Sequence, residues 1–299
     1  MNRAMVTRYL AWTFAINYLI GFGFLYLARS TQTFQHSPNL AVFMLIFYMW
    51  VPALVSMVLI KFHYGERLAD YGLRFRPNRG WLGAWVYPIL IGFLTILVCL
   101  MLGIGRWDPD FSSFIAGQAA RLSPEEFARA REQLASLSVS TVLLMTVVQG
   151  IIAGTTINAL AAFGEELGWR GLLYTQLRPL GFWKANLLIG LIWGIWHAPI
   201  IAAGHNFPEH PIAGIFVMTL GTLALAPLIG FVRERSGSVI AAAIFHGVFN
   251  ASAGVSIMLI ADAPNILRAG LGLAGIIAMA VLIAVSYLWF GLGRREQST

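Results

Sequence analysis

Three short stretches in the second half of the chain carry the side chains that could do chemistry. The first is Gly164-Glu165-Glu166-Leu167-Gly168-Trp169-Arg170, two adjacent acids in an apolar run. Glu166 and Arg170 stand i, i+4, so on a helix they share a face and can pair. Glu165 points about a quarter-turn away and is left without that partner. One acid is thus neutralised and the other is free to act, unless both merely end a span at headgroup level. The second stretch is Trp193-Gly194-Ile195-Trp196-His197-Ala198-Pro199. Pro199 removes a backbone donor just past the histidine, which frees a carbonyl and makes room for water. A lone His in an apolar helix is also compatible with a hydrogen-bonded core residue. The third is Phe245-His246-Gly247-Val248-Phe249-Asn250. His246 and Asn250 face the same way, and Gly247 lets a neighbour approach closely; a helix-packing face with an interhelical hydrogen bond has the same signature.

Ionisable groups inside a bilayer cost roughly 2.5–3.5 kcal/mol each by insertion scales, so they are functional candidates by default. That the surroundings are a bilayer follows from composition. Hydrophobic residues make up 58% of the 299 residues and charged ones 11%, against about 25% charged in a soluble domain. The elements expected to position the three stretches are therefore apolar helices, each of about 20 residues. Eight candidates are present: 9–28, 40–60, 81–104, 140–175, 184–203, 212–232, 238–260 and 267–290. The fourth is too long for one straight span and is expected to tilt or to break near Gly150 or Gly154-Thr155-Thr156. The fold class expected is all-α, a polytopic transmembrane helical bundle of about eight spans. It forms one integral membrane domain, with spans 1–3 and an outer loop in 1–139, the candidate core in 140–254, and a last span and tail in 255–299.

Orientation follows from charge. Of the 20 Lys and Arg, fourteen fall on one set of alternate segments: Arg3, Arg8, Lys61, Arg67, Arg74, Arg76, Arg79, Arg170, Arg178, Lys184, Arg233, Arg235, Arg294 and Arg295. The other set holds Arg29, Arg106, Arg121, Arg129, Arg131 and Arg268. The positive-inside rule then gives N-in, C-in. The formal net charge of +7 is a topology signal, and no nucleic-acid partner is expected. The expected partners are membrane lipid and a membrane-tethered peptide or protein. The basic loop 61–80 is either a topology anchor or an attractor of anionic headgroups. In the outer loop, Ser123-Pro124-Glu125-Glu126 predicts an amphipathic helix over 124–137, with Ser as cap and acids at the positive dipole end. Cys99 is the only cysteine, so no disulfide forms within the chain. With spans ending near Tyr174, Ser238 and Lys184, Glu165 lies roughly 14 Å deep, His246 about 12 Å and His197 about 20 Å. Those depths allow one shared polar site.

The order Glu-Glu-x-x-x-Arg, Trp-x-x-x-His, His-x-x-x-Asn on successive apolar helices resembles the CPBP family. These are intramembrane peptidases related to type II CAAX prenyl endopeptidases, also called the Abi family. The likeness covers residues 140–254, with Trp193 where the family most often has Phe. The resemblance implies that Glu165 and His197 activate a water, that His246 and Asn250 stabilise the oxyanion, and that Glu166 and Arg170 hold the site together. Peptide hydrolysis needs a base for water and donors for the tetrahedral oxyanion, which these residue types supply. Two cofactor readings stay open: none, or one divalent metal. Glu165, His197 and His246 would make a zinc set with an open position, whereas His-Glu-x-x-His is absent. The nearby His205-Asn206-Phe207-Pro208-Glu209-His210 has one residue too many for the inverted zinc-peptidase pattern.

The expected activity is that of an endopeptidase acting on a membrane-tethered or prenylated, CAAX-like substrate. The expected location is the plasma (inner) membrane of a prokaryote. Two other classes compete: a non-catalytic membrane scaffold or immunity protein, and a proton-coupled transporter. The absence of a visible repeat or of paired broken helices counts against the transporter.

Overall fold

Apolar runs in this chain fold as helices because backbone groups away from water must pair within their own segment. The chain was described from a computed structural model that covers residues 1–30, 38–118 and 123–293; Arg121, Arg294 and Arg295 lie outside the described residues. The principal helices are α1 (Arg3–Ser30), α2 (Pro38–Met57), α3 (Gly83–Leu102), α4 (Pro124–Ala135), α5 (Val139–Thr155), α6 (Ile157–Glu166), α7 (Phe182–Trp196), α8 (Pro211–Ser236), α9 (Val239–Ser252) and α10 (Leu273–Trp289). A two-residue antiparallel pairing of Arg106–Trp107 with Ile260–Ala261 is the strand content among the described residues.

Six helical segments among the described residues are long and apolar enough to cross a membrane: Arg3–Arg29, Asn39–His63, Arg79–Leu102, Pro211–Ser236, Val239–Leu259 and Asn265–Trp289. The other two expected spans are interrupted. The run 140–175 breaks at Thr156, between α5 and α6, within the segment where glycines predicted a break. The run 184–203 stops at Trp196 and restarts as a short helix, Ala198–Ala202, with His197 at the joint.

Contacts at the two ends of the bundle fix the path. At one end the Asn2 backbone N–H donates to Gln176 at 2.8 Å, Arg8 to the Tyr64 hydroxyl at 2.7 Å and Tyr174 to Glu234 at 2.5 Å. Ser238 donates to the Arg74 carbonyl at 2.6 Å, and Arg235 donates to that of Phe290. At the other end Arg29 donates to the Ala202 carbonyl at 2.7 Å and the Asn265 N–H to Glu209 at 3.0 Å. Here too Ile104, Phe111, Phe127, Val142 and Leu259 form one apolar cluster. Six helices, or seven with the bent pair Pro124–Leu134 and Val139–Thr155, are candidate spans among the described residues, against the eight expected. Both described termini lie at the end that gathers most of the Lys and Arg, as the charge distribution predicted.

The expected surface helix is α4. Ser123 accepts from the Glu126 N–H and Glu126 returns a bond to the Ser123 N–H, a reciprocal cap with Pro124 in the first turn. Its apolar side, Phe127 and Leu134, closes the outer cluster. In the centre of the bundle α9 packs on α3, α5 and α6, and α7 packs along α8.

Candidate active site

The acids stand where two irregularities meet. Thr156 leaves the helix at φ −108°, ψ −95°, and its hydroxyl donates to the Ile152 carbonyl at 2.7 Å. This shortens α6 to ten residues, with Glu165 and Glu166 on its last turn. Beyond them Leu167–Leu173 winds as a π-helix, a form frequent at functional sites. The break is held from α9. A Cβ on Gly247 would lie 2.3 Å from the Gly154 carbonyl oxygen and 2.5 Å from the Ala159 nitrogen, so only glycine permits this approach. Gly247 is the close contact that its type predicted, and the partner is the α5–α6 break.

Glu166 and Arg170 pair as their spacing predicted, 3.1 Å apart and both fully buried. The same Glu166 oxygen accepts from His246 Nδ1 at 2.9 Å. Glu166 therefore ties α6, the π-helical turn and α9 into one buried cluster. Glu165, left free by that pairing, accepts from the Trp193 indole N–H at 2.7 Å. Trp193 is the hub of the site. Its ring lies 5.4 Å from that of His246, with an interplanar angle of 72°, and the Arg170 guanidinium carbon sits 4.6 Å over it. Its carbonyl accepts from His197 Nδ1 at 2.8 Å. A carbonyl can only accept, so Nδ1 carries the proton and Nε2 presents a lone pair.

His197 stands one helical turn beyond Trp193 toward the outer end, about 6 Å along the axis. Glu165 and His246 meet at Trp193 itself. The stagger has the sense of the depths expected from the sequence, with His197 beyond the level of Glu165 and His246. Glu165, His197 and His246 are 2%, 7% and 5% exposed, so all three side chains are enclosed by protein. Asn250 lies on the His246 face of α9 but is exposed, and it makes no side-chain hydrogen bond among the described residues.

The carbonyl freed by Pro199 is that of Ile195, and it does not stay free: the Tyr18 hydroxyl of α1 donates to it at 2.9 Å. The next carbonyl, of Trp196, accepts from the Tyr48 hydroxyl of α2. Asn17 in turn donates to the Tyr48 carbonyl at 2.8 Å. The first two spans carry no motif, yet they clamp the joint that holds His197. No sequence pattern marked Tyr18 or Tyr48, because their partners are backbone atoms 177 and 148 residues away.

Whether the expected zinc set fits can be read from its donors. Among the described residues no three His, Cys, Asp or Glu side chains group closely enough to hold a metal ion. One Glu165 oxygen takes the Trp193 indole, and His246 Nδ1 is engaged by Glu166. These bonds leave the second Glu165 oxygen and the Nε2 atoms of His197 and His246 outside them, and the three side chains do not close on one point in this structure. Glu209 of the outer loop is turned to the Asn265 N–H and likewise joins no metal group.

Comparison with known proteins points to the same segment. Residues 139–252 match the family model described as type II CAAX prenyl endopeptidase Rce1-like. Over 98 residues the chain is 32% identical to the CAAX prenyl protease 2 of Methanococcus maripaludis. That alignment takes in 30% of this chain and 36% of the relative, so the chain matches little more than a third of that protein's length.

Proposed function

We propose that this integral membrane protein is an endopeptidase that cuts within the membrane, a reading supported by the match of residues 139–252 to the type II CAAX prenyl endopeptidase Rce1-like model. The resemblance carried by the three motifs is borne out over that segment. The substrate is a membrane-tethered peptide, with a prenylated, CAAX-like C-terminus as the first candidate. The membrane is the plasma (inner) membrane of a prokaryote.

The observation that carries this reading is the convergence on Trp193 of Glu165, His246 and His197 from three separate helices. In the proposed reaction Glu165 takes a proton from a water held between its second oxygen and the lone pair of His197 Nε2. The water attacks the scissile carbonyl. As the tetrahedral oxyanion forms, His246 Nε2–H and the Asn250 amide donate to it. For that role His246 must carry protons on both nitrogens. The Glu166 carboxylate at Nδ1 stabilises that charged ring and pairs with Arg170 through the same oxygen. Glu165 then passes its proton to the leaving amine. Burial of Glu165, His197 and His246 keeps bulk water from competing for them, whereas Asn250 stands at the exposed edge of the site.

The test is cleavage of a fluorogenic prenylated Cys-a-a-X peptide by the purified protein in detergent, with products identified by mass spectrometry. Release of the terminal tripeptide is the expected result. Cleavage of an unprenylated membrane peptide alone would overturn the substrate class and keep the peptidase. Absence of cleavage on either would overturn the peptidase reading.

A further inference from the structure

A groove of about 710 Å³ runs along the surface between α3, α8 and α10 at the basic end of the bundle. Its floor and walls are apolar, with Leu82, Val86 and Leu90 on one side, Phe231 on the floor, and Leu282 and Phe290 opposite. Leu82, Val86, Leu90 and Phe290 are each at least 40% exposed. At its mouth stand Arg79 and Arg235, and its lining contains no acid. The contrast with the larger cavity at the same end is informative. There, about 1020 Å³ is lined by Arg74, Arg178 and Arg233 but also by Asp70 and Glu234, which pair with Arg74 and Arg178.

The mouth is built. Asn78 caps the short turn Arg79–Leu82 by accepting from the Gly80 N–H at 2.8 Å, and its amide donates to the Ser236 carbonyl at 3.2 Å. A Cβ on Gly80 would lie 2.5 Å from the Arg235 carbonyl, so the two arginine-bearing segments are pressed together. Arg235 lies 5.1 Å over the Phe231 ring and donates to the Phe290 carbonyl. Arg79 makes no hydrogen bond or ion pair among the described residues and is exposed. From Leu82 to Leu90 the wall extends about 12 Å into the apolar zone.

We propose that this groove is a binding site for one anionic phospholipid, its acyl chain along Leu82, Val86, Leu90 and Leu282 and its headgroup phosphate between Arg79 and Arg235. The charge is complementary: two cations and no anion face the level where a headgroup sits. This is also the end that the Lys and Arg distribution places in the cytoplasm, where anionic lipids concentrate. The basic loop 61–80 then has a specific role at its last arginine beyond fixing topology. The site is separate from Glu165, His197 and His246, and the assignment does not depend on the peptidase reading.

Native mass spectrometry of the full chain released from detergent tests this, with dioleoyl phosphatidylglycerol, dioleoyl phosphatidylcholine and inorganic phosphate as separate probes. The expected result is one phosphatidylglycerol retained in preference to phosphatidylcholine, with no protection by phosphate alone. Arg79→Gln should weaken phosphatidylglycerol about fivefold and leave phosphatidylcholine unchanged. Val86→Trp, which fills the apolar part, should abolish retention of both. Should Val86→Trp not fold, the exposed and unpartnered Arg79 decides. Equal retention of the two lipids, or an undiminished preference in the Arg79→Gln, Arg235→Gln double variant, overturns the proposal. So does binding of phosphate without lipid, or a dimer that forms through the groove with no lipid preference.

Discussion

At Glu166 one buried carboxylate holds an arginine from its own helical run and a histidine from 80 residues away. Removing one partner of a buried ion pair costs about 3–5 kcal/mol, because the other charge stays behind uncompensated. Glu166→Gln should therefore lower the unfolding midpoint in detergent markedly as well as abolish activity. By contrast, Glu165→Gln removes an acid that makes no ion pair among the described residues and should shift the midpoint much less. Circular dichroism melts of the two variants side by side check this division of labour. Trp193→Phe keeps the ring beside His246 but loses the N–H that orients Glu165. It should lower kcat by about 10²-fold with little change in KM, the size expected for a misplaced base. At this scale the sequence was partly readable. The i, i+4 rule gave the Glu166–Arg170 pair and isolated Glu165. It could not give Trp193 to Glu165 or His246 to Glu166, since no local period links residues 28 and 80 apart.

At the scale of elements, the site depends on helices that are interrupted. Glycines at 150 and 154 and the Thr155-Thr156 pair announced a break in the fourth run, and Thr156 is where it falls. The π-helical turn after Glu166 was not legible: Gly168 and Gly171 are weak helix formers, but nothing in Leu167–Leu173 specifies a change of hydrogen-bond offset. Gly247→Ala would drive a methyl against the Gly154 carbonyl across the break. Overpacking of this kind costs about 1–3 kcal/mol, and activity should fall because α6 and its acids move with the break. Pro199 predicted a freed carbonyl; that α1 and α2 reach in to claim it and its neighbour was invisible in those spans. Tyr48→Phe leaves the buried Trp196 carbonyl without its donor, at a cost of about 1–3 kcal/mol. Activity should fall with Glu165 and Glu166 still in place, measurable as a loss in kcat alongside a modest drop in midpoint.

For the whole molecule, the six or seven candidate spans follow from helix length and composition, and the shared location of both described termini from contacts at one end. Composition and charge made most of this legible: apolar runs of the right length, and Lys and Arg on alternate segments. What they did not reveal is that two passages are too broken to be spans by length alone. A cysteine introduced in a Cys99→Ser background gives the sidedness directly. Arg8→Cys and Lys61→Cys should resist a membrane-impermeant thiol reagent applied from outside, while Arg129→Cys in α4 should react. The reverse pattern would invert the bundle and move the proposed lipid groove to the opposite leaflet.

In the proposed mechanism Glu165, set apart from the Glu166 cluster, activates the water. The most direct measurement compares peptide cleavage by the wild type, Glu165→Gln and His246→Ala, each with and without a zinc chelator. The account predicts cleavage by the wild type alone, unaffected by the chelator, with Glu165→Gln folded and inactive by at least about 10²-fold. Full cleavage by folded Glu165→Gln would remove Glu165 from the mechanism and contradict the account.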